Sequence, residues 1–508
     1  MHRRGFLKAA MLSSGAAILP RSIAAADLPS EITSLCASQL SAAIRQKLVS
    51  CEETMAAYLA RIHSYNPVYN AIVSMLSDDE CLEQAQAADR ALSAGHYRGW
   101  MHGMPHAVKD LADAAGLPTS RGSPIFAGTV AAQDSFMIAR IRSQGAIFIG
   151  KTNTPEFGMG SQSYNPVFGA TGSACNPALT AGGSSGGAAS GLGTRMLPVA
   201  DGGDLMGSLR NPAAFNNVIG FRPTQGRVPG GGSGDLFYQQ MGTGGPMGRN
   251  TEDTIRLLLS ISGPSAGNPL SLRDRLPDAG AFKPRELNGT RIGWMGNFDG
   301  YLAMEPGLLE LCRQPLQLLT DQGAIVEDCK PDYDLSRLWQ TWLTLRHWTR
   351  NSMRELYDNP ATRQQLKPEA IWEIEGAQNT SAADIYVAGI ARADWFRAVN
   401  ALLDRYDYLL LPTAQVFPFP KTLAWPSSIN GRDMDTYHRW MEVVIGGTLA
   451  GLPVVNVPAG FDSKGRPMGI QVMGRFGADQ SVLQFALAYE RVTGYLDQQP
   501  APSPAQDY

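Results

Sequence analysis

What this 508-residue chain has little of narrows its function before any motif is read. Charge is sparse: charged residues are 18% of the chain, the net charge is −3, and no basic stripe runs through it. Nucleic acid is therefore not an expected partner. There are six cysteines, Cys36, Cys51, Cys81, Cys175, Cys312 and Cys329, with no C-x-x-C spacing and no histidine grouped with them. That argues against a zinc site, and no other metal or organic cofactor is implied. Beyond the N-terminus no apolar run reaches the roughly 20 residues that span a bilayer. No serine has a lysine three positions on, which removes an acylating pair of the β-lactamase type.

What is present is an ordinary globular composition, 44% hydrophobic, with 54 glycines and 33 prolines. So many turn formers suggest the tight connections of an α/β enzyme. The chain opens Met1-His2-Arg3-Arg4-Gly5-Phe6-Leu7-Lys8, continues with an apolar run from Ala9 to Leu19, and reaches Ala24-Ala25-Ala26. Twin arginines, a short apolar stretch and a small-residue cleavage site resemble a twin-arginine export signal over residues 1–26. The expected location is periplasmic or secreted, with no stable membrane insertion once the signal is removed. An oxidising compartment permits a disulfide, but the spacing does not say which pair, and a core of this size does not require one.

Residues 30–95 read as helices, with Met55, Tyr58, Leu59 and Ile62 at helical spacing. Gly103-Met104-Pro105 then turns into a short apolar strand that carries Lys109. Burial of that lysine would lower its pKa and supply a neutral amine as a base. His106 reads as a surface histidine. Gly145 to Thr152, GAIFIGKT, matches a phosphate-binding loop in letters only, because Ala-Ile-Phe-Ile is strand interior and cannot present successive amides to phosphate. Residues 157–174 form a Gly/Ser/Asn-rich loop leading to the stretch that organises the chain, GGSSGGAASGLGTRMLPVADGGDLMGSLR, from Gly182 to Arg210. Two glycine-flanked serine turns joined by a small-residue segment would gather hydroxyls and free backbone N–H groups, the materials for attack on a carbonyl.

Val108-Lys109-Asp110, Gly182 to Gly187 and Asp204 to Ala214, in that order, closely resemble the amidase signature family. So do Gly220-Phe221-Arg222-Pro223-Thr224, Gly226-Arg227-Val228-Pro229, Asp407 to Thr413 and Gly451 to Pro458. The likeness runs through nearly the whole mature chain. It implies a three-layer α/β/α domain around a large twisted mixed sheet, spanning residues 27–497; the Pro/Ala/Gln-rich tail over 498–508 is expected from its composition to be disordered. It implies a Ser–Ser–Lys triad: Ser208 as nucleophile, Ser184 as the bridging serine after a cis peptide from Gly183, and Lys109 as base. Ser184 is preferred to Ser185 because the family separates bridge and nucleophile by 24 residues, as Ser184 and Ser208 are separated here. The implied oxyanion hole is the backbone of Leu205, Met206 and Gly207. Met206 stands where the family usually has glycine: either the turn is strained there, or the amide alone is used and the side chain points elsewhere, into the substrate pocket for example. Asp204 and Arg210 read as holding the turn by charge-assisted hydrogen bonds.

Chemistry supports the arrangement, since a serine hydroxyl needs a base before it attacks, and a neutral lysine can draw the proton through a second hydroxyl. A rival elbow with Ser185 as nucleophile would need a downstream histidine in a loop after a strand. Only His347 and His438 follow it in the chain, and neither has that setting. Residues 305–400 look mostly helical and are expected to cover the pocket. Trp339, Trp342, Trp348, Trp425 and Trp440 read either as a packed face or as a rim for a bulky apolar group. The resulting expectation is a small-molecule amide hydrolase, monomeric or homodimeric, working through an acyl-enzyme and able to cleave esters too. The alternatives are a binding protein on an inactive amidase scaffold and an amidotransferase subunit.

Overall fold

The computed structural model describes residues 29–230, 235–238, 240–498 and 500–504. Residues 1–26, expected to form an export signal, lie outside the described residues, as does the last part of the tail. Among the described residues no helix is long and apolar enough to cross a membrane, and all six cysteines are unpaired thiols.

Two sheets position the site. The smaller has three strands, β1 (Ile72–Val73), β2 (Pro105–Lys109) and β3 (Ile147–Thr152), in the order β1-β3-β2. The larger has eight: β4 (Val199–Asp204), β5 (Ile219–Arg222), β6 (Thr243–Gly248), β7 (Arg291–Trp294), β8 (Ile325–Asp328), β9 (Tyr408–Pro412), β10 (Val454–Phe461) and β11 (Pro467–Met473). Their order is β8-β7-β9-β11-β10-β5-β6-β4. β7 runs parallel to β8 and β9, and the remaining pairs are antiparallel, so the sheet is mixed. The central strands β9 and β11 are buried at every residue, which is why they are apolar on both faces apart from Gln471.

β2 lies beside β4, yet among the described residues no backbone ladder joins them. The Asp201 carboxylate takes the ladder's place. It accepts from the Lys109 backbone N–H at 3.3 Å and meets His106 Nε2 at 2.9 Å. His106 is therefore fully buried, against the expectation of a surface residue. Its partner sits almost a hundred residues downstream, where a local reading could not find it. In β3 all six residues are buried, and Lys151 Nζ donates to the Ala112 carbonyl at 2.6 Å and to Thr119 Oγ1 at 3.1 Å. The GKT string is thus strand, and its lysine is satisfied within the protein.

Helices follow their capping signals. Ser50 with Glu53, Ser77 with Glu80 and Ser381 with Asp384 close capping boxes on Cys51–Tyr69, Asp78–Ser93 and Ala382–Leu403. Within 305–400, Leu308–Asp321 packs on the main sheet and Ile325–Asp328 is its edge strand. Only the later part stands over the cavity. There Met159, Met353, Leu366, Ala370, Ile374 and Tyr437 form a small hydrophobic cluster separate from the main core.

Candidate active site

The site grows from two glycine-rich turns. The first ends in helix α1 (Gly186–Gly193), whose start presses against the small sheet. A Cβ on Gly187 would lie 2.3 Å from the Asn153 amide nitrogen and 2.5 Å from the Ala71 carbonyl, so only glycine permits the contact. Just before it, the Gly183–Ser184 peptide is cis, and Ser161 Oγ donates to the Gly183 carbonyl at 2.6 Å. The second turn leaves β4 at Asp204 and enters helix α2 (Arg210–Phe215). Gly207 has φ +77°, and a Cβ there would collide with Asn211 Oδ1 at 2.1 Å.

Asp204 organises this second turn. Its carboxylate accepts from Arg210 Nε at 2.9 Å and Nη2 at 3.0 Å, and from the amides of Gly207 and Leu209 at 2.9 and 3.2 Å. Arg210 also donates to the Val444 carbonyl, Gln471 Oε1 and Thr448 Oγ1. Arg222 donates to the Asp204 and Met241 carbonyls at 2.5 and 2.7 Å. Burial alone would raise the Asp204 carboxyl, but Arg210 and Arg222 hold it well below the usual carboxylate range. The distal motifs brace the same turn. Asn211 Nδ2 donates to the Thr413 carbonyl at 3.0 Å, and Thr413 Oγ1 to Asn456 Oδ1 at 2.7 Å.

Lys109 ends β2 facing both turns. Its Nζ donates to Ser184 Oγ at 2.8 Å, to Ser185 Oγ at 2.7 Å and to the Gly203 carbonyl at 3.5 Å. It is 3% exposed, and burial pushes the amine down to about 7, against the opposing pull of Asp201 and Asp204. Ser208 is 7% exposed and opens on the same cavity of about 460 Å³ as Lys109 and Ser184. The three residues expected from the sequence are thus brought together. Ser184 bonds the amine, while Ser208 Oγ makes no hydrogen bond to Ser184. The amide of Ser185 reaches back to the Ser208 carbonyl at 3.3 Å, tying one turn to the other.

Two expectations change. Gly207 does not supply a free donor, because its N–H is committed to Asp204 Oδ1. Among the described residues the amides of Leu205, Met206 and Ser208 have no protein acceptor, so any oxyanion hole draws on these. Met206 needs no positive φ, and its side chain is buried in the main core rather than in the substrate pocket. Ser185, set aside in favour of Ser184, is nonetheless a second partner of the lysine; the doubled serine was the available signal. None of Trp339, Trp342, Trp348, Trp425 or Trp440 lines the cavity. Trp339, Trp342 and Trp372 instead surround His438, whose two ring nitrogens have no partner among the described residues. No described histidine hydrogen-bonds Ser185, which removes the elbow alternative.

Residues 53–483 match the family model described as Amidase. The chain belongs to the amidase signature family. This family member is 29% identical over 476 residues to an acylamidase of Rhodococcus erythropolis, covering 92% of this chain and 98% of the relative. It is 31% identical over 489 residues to a glutamyl-tRNA(Gln) amidotransferase subunit of Pseudomonas syringae pv. syringae, covering 91% of this chain and 98% of that relative. Among solved structures it superimposes on a bacterial aryl acylamidase with TM-score 0.86 at 28% identity, over 92% of this chain and 99% of that one. The fold is that of the amidase signature enzymes, and the chain is an amide hydrolase acting on carbon–nitrogen bonds.

Proposed function

We propose that this amidase cleaves a small-molecule carboxamide through an acyl-enzyme on Ser208, with Lys109 as base and Ser184 as the proton bridge. One observation carries the reading. A buried amine, pushed down to about 7, sits 2.8 Å from one serine hydroxyl in the cavity onto which the second serine opens. Neutral Lys109 draws the Ser184 proton as Ser184 takes that of Ser208, and the freed Ser208 oxygen attacks the substrate carbonyl. The carbonyl oxygen gains negative charge within reach of the Leu205, Met206 and Ser208 amides. As the tetrahedral adduct collapses, the C–N bond breaks and the departing amine takes the proton back through Ser184. Water then repeats the sequence on the ester, releasing the acid and restoring Ser208. Esters enter by the same route.

The N-terminal twin-arginine segment supports action in the periplasm or outside the cell, in a protein that works alone or as a homodimer. A second reading, as one component of an amidotransferase, has the Pseudomonas relatives behind it. Export of the chain and the weak overall charge of −3 count against it. The test is an amide-library hydrolysis screen on protein lacking residues 1–26, alongside a serine-reactive probe. Cleavage and labelling that both vanish in Ser208→Ala support the proposal. Activity that survives the substitution overturns it, and a partner protein that co-purifies and is required for activity favours the second reading.

A further inference from the structure

The cavity receives one charge that nothing among the described residues neutralises. Arg350 follows the Leu335–Thr349 helix and opens the short turn Arg350–Met353. With Thr349 and Ser352 it lines the cavity that holds Lys109, Ser184 and Ser208. Its Nε is buried without a partner, and its guanidinium makes no hydrogen bond or ion pair among the described residues. One helical turn earlier, Arg346 has claimed the nearest carboxylate. It pairs with Glu373 and donates to the Tyr437 hydroxyl at 2.6 Å, while Tyr437 donates to Glu373 at 2.5 Å and His347 adds a contact at 3.3 Å. Arg350 feels Glu373 only across space. Burial and the neighbouring Arg346 push it down to about 10, so it stays protonated at neutral pH.

The other charges on the cavity wall are spoken for. Asp204 is held by Arg210 and Arg222, and Asp201 by His106 and the Lys109 amide. Leu111, Met137, Phe157, Leu205 and Met241 give the rest of the wall an apolar character. A guanidinium fork matches a carboxylate in shape and charge, and a buried cation without a counter-ion gains most from one that arrives.

We propose that Arg350 determines specificity at this site by pairing with a carboxylate on the substrate, so that preferred amides combine an apolar body with one anionic group. This rests on the amidohydrolase reading and adds the substrate class to it.

The experiment uses matched probe pairs that differ only in that charge. In the acyl arm, glutaryl para-nitroanilide is compared with valeryl para-nitroanilide. In the amine arm, N-acetyl-para-aminobenzoate is compared with N-acetyl-para-toluidine. The expected result is that the anionic member of one arm is favoured by about tenfold or more in kcat/KM, mostly through KM. Arg350→Met should collapse that ratio towards one, and Arg350→Lys should keep part of it, with thermal melts confirming that both variants fold. Calorimetry on Ser208→Ala protein supplies a reading without turnover: the favoured anionic probe should bind, and Arg350→Met should weaken it by about tenfold. A ratio near one in both arms of the wild type, or a preference that Arg350→Met leaves intact, overturns the proposal. Absence of any amide cleavage and of Ser208 labelling would instead sink the amidohydrolase reading, and the calorimetric arm would still decide the role of Arg350.

Discussion

The turn that carries Ser208 and the helical layer above it each hold a pair of arginines, and they treat them in opposite ways. Below, Arg210 and Arg222 converge on a single carboxylate, and every remaining donor of Arg210 finds a carbonyl, amide or hydroxyl oxygen. Above, Arg346 is paired and Arg350 is left open. The turn is built to stay still, with its charges cancelled and its backbone pinned by Asp204. The cover keeps an unsatisfied cation where a substrate can reach it. Rigidity belongs to the chemistry and unmet bonding capacity to recognition.

The largest effect should come from the centre of the rigid half. Ser208→Ala is expected to lower kcat/KM on any cleaved amide by about 10⁴-fold or more, read in steady-state hydrolysis. A loss under tenfold would mean that the turn is scaffold and not the reacting element. Next is a direct contrast between the two halves in denaturant unfolding. Asp204→Ala strands two buried guanidinium groups and should cost about 3–5 kcal/mol. Arg350→Met breaks no pair and should stay within about 0.5 kcal/mol of the parent. Equal losses would erase the distinction between turn and cover.

The third effect is on pH. Burial depresses Lys109 to about 7, so the neutral amine is populated above that value and lost below it. kcat/KM should therefore rise through pH 7 and fall by about tenfold for each unit below it. A profile flat down to pH 5 would remove Lys109 as the base. The smallest effect is Ser185→Ala, which leaves the lysine with Ser184 as its remaining hydroxyl partner. One hydrogen bond is expected to be worth about three- to tenfold in rate. A loss approaching that of Ser208→Ala would make Ser185, not Ser184, the bridge.

The parts of this site that could be read from the sequence are those whose partners lie close by or recur in fixed order. Ser184, Ser208 and Asp204 sit on glycine-marked turns, and Lys109 announces itself as a cation inside an apolar strand. The mixed sheet around them followed from the same ordered motifs. What escaped depends on contacts between distant segments. His106 looked like a surface residue until Asp201 stood beside it. Gly207 looked like a donor until the Asp204 carboxylate took its N–H. In the cover, the tryptophans are the largest side chains but do not reach the cavity. Trp339 and Trp342 pack around His438, Trp348, Trp425 and Trp440 against other rings, and the cavity wall is left to Thr349, Arg350 and Ser352.

The missing ladder between β2 and β4 has a consequence for how such a site could go wrong. The amine is mounted on one sheet and the hydroxyl it is meant to activate on the loop leaving the other, with side-chain contacts in place of a ladder across the gap: the Asp201 carboxylate on the Lys109 amide and His106, and Lys109 Nζ on the Gly203 carbonyl. Each sheet can keep its own hydrogen-bond register whatever happens at that joint. Slippage there would therefore go unseen by any measure of strand content, and would surface only as a base out of step with its target.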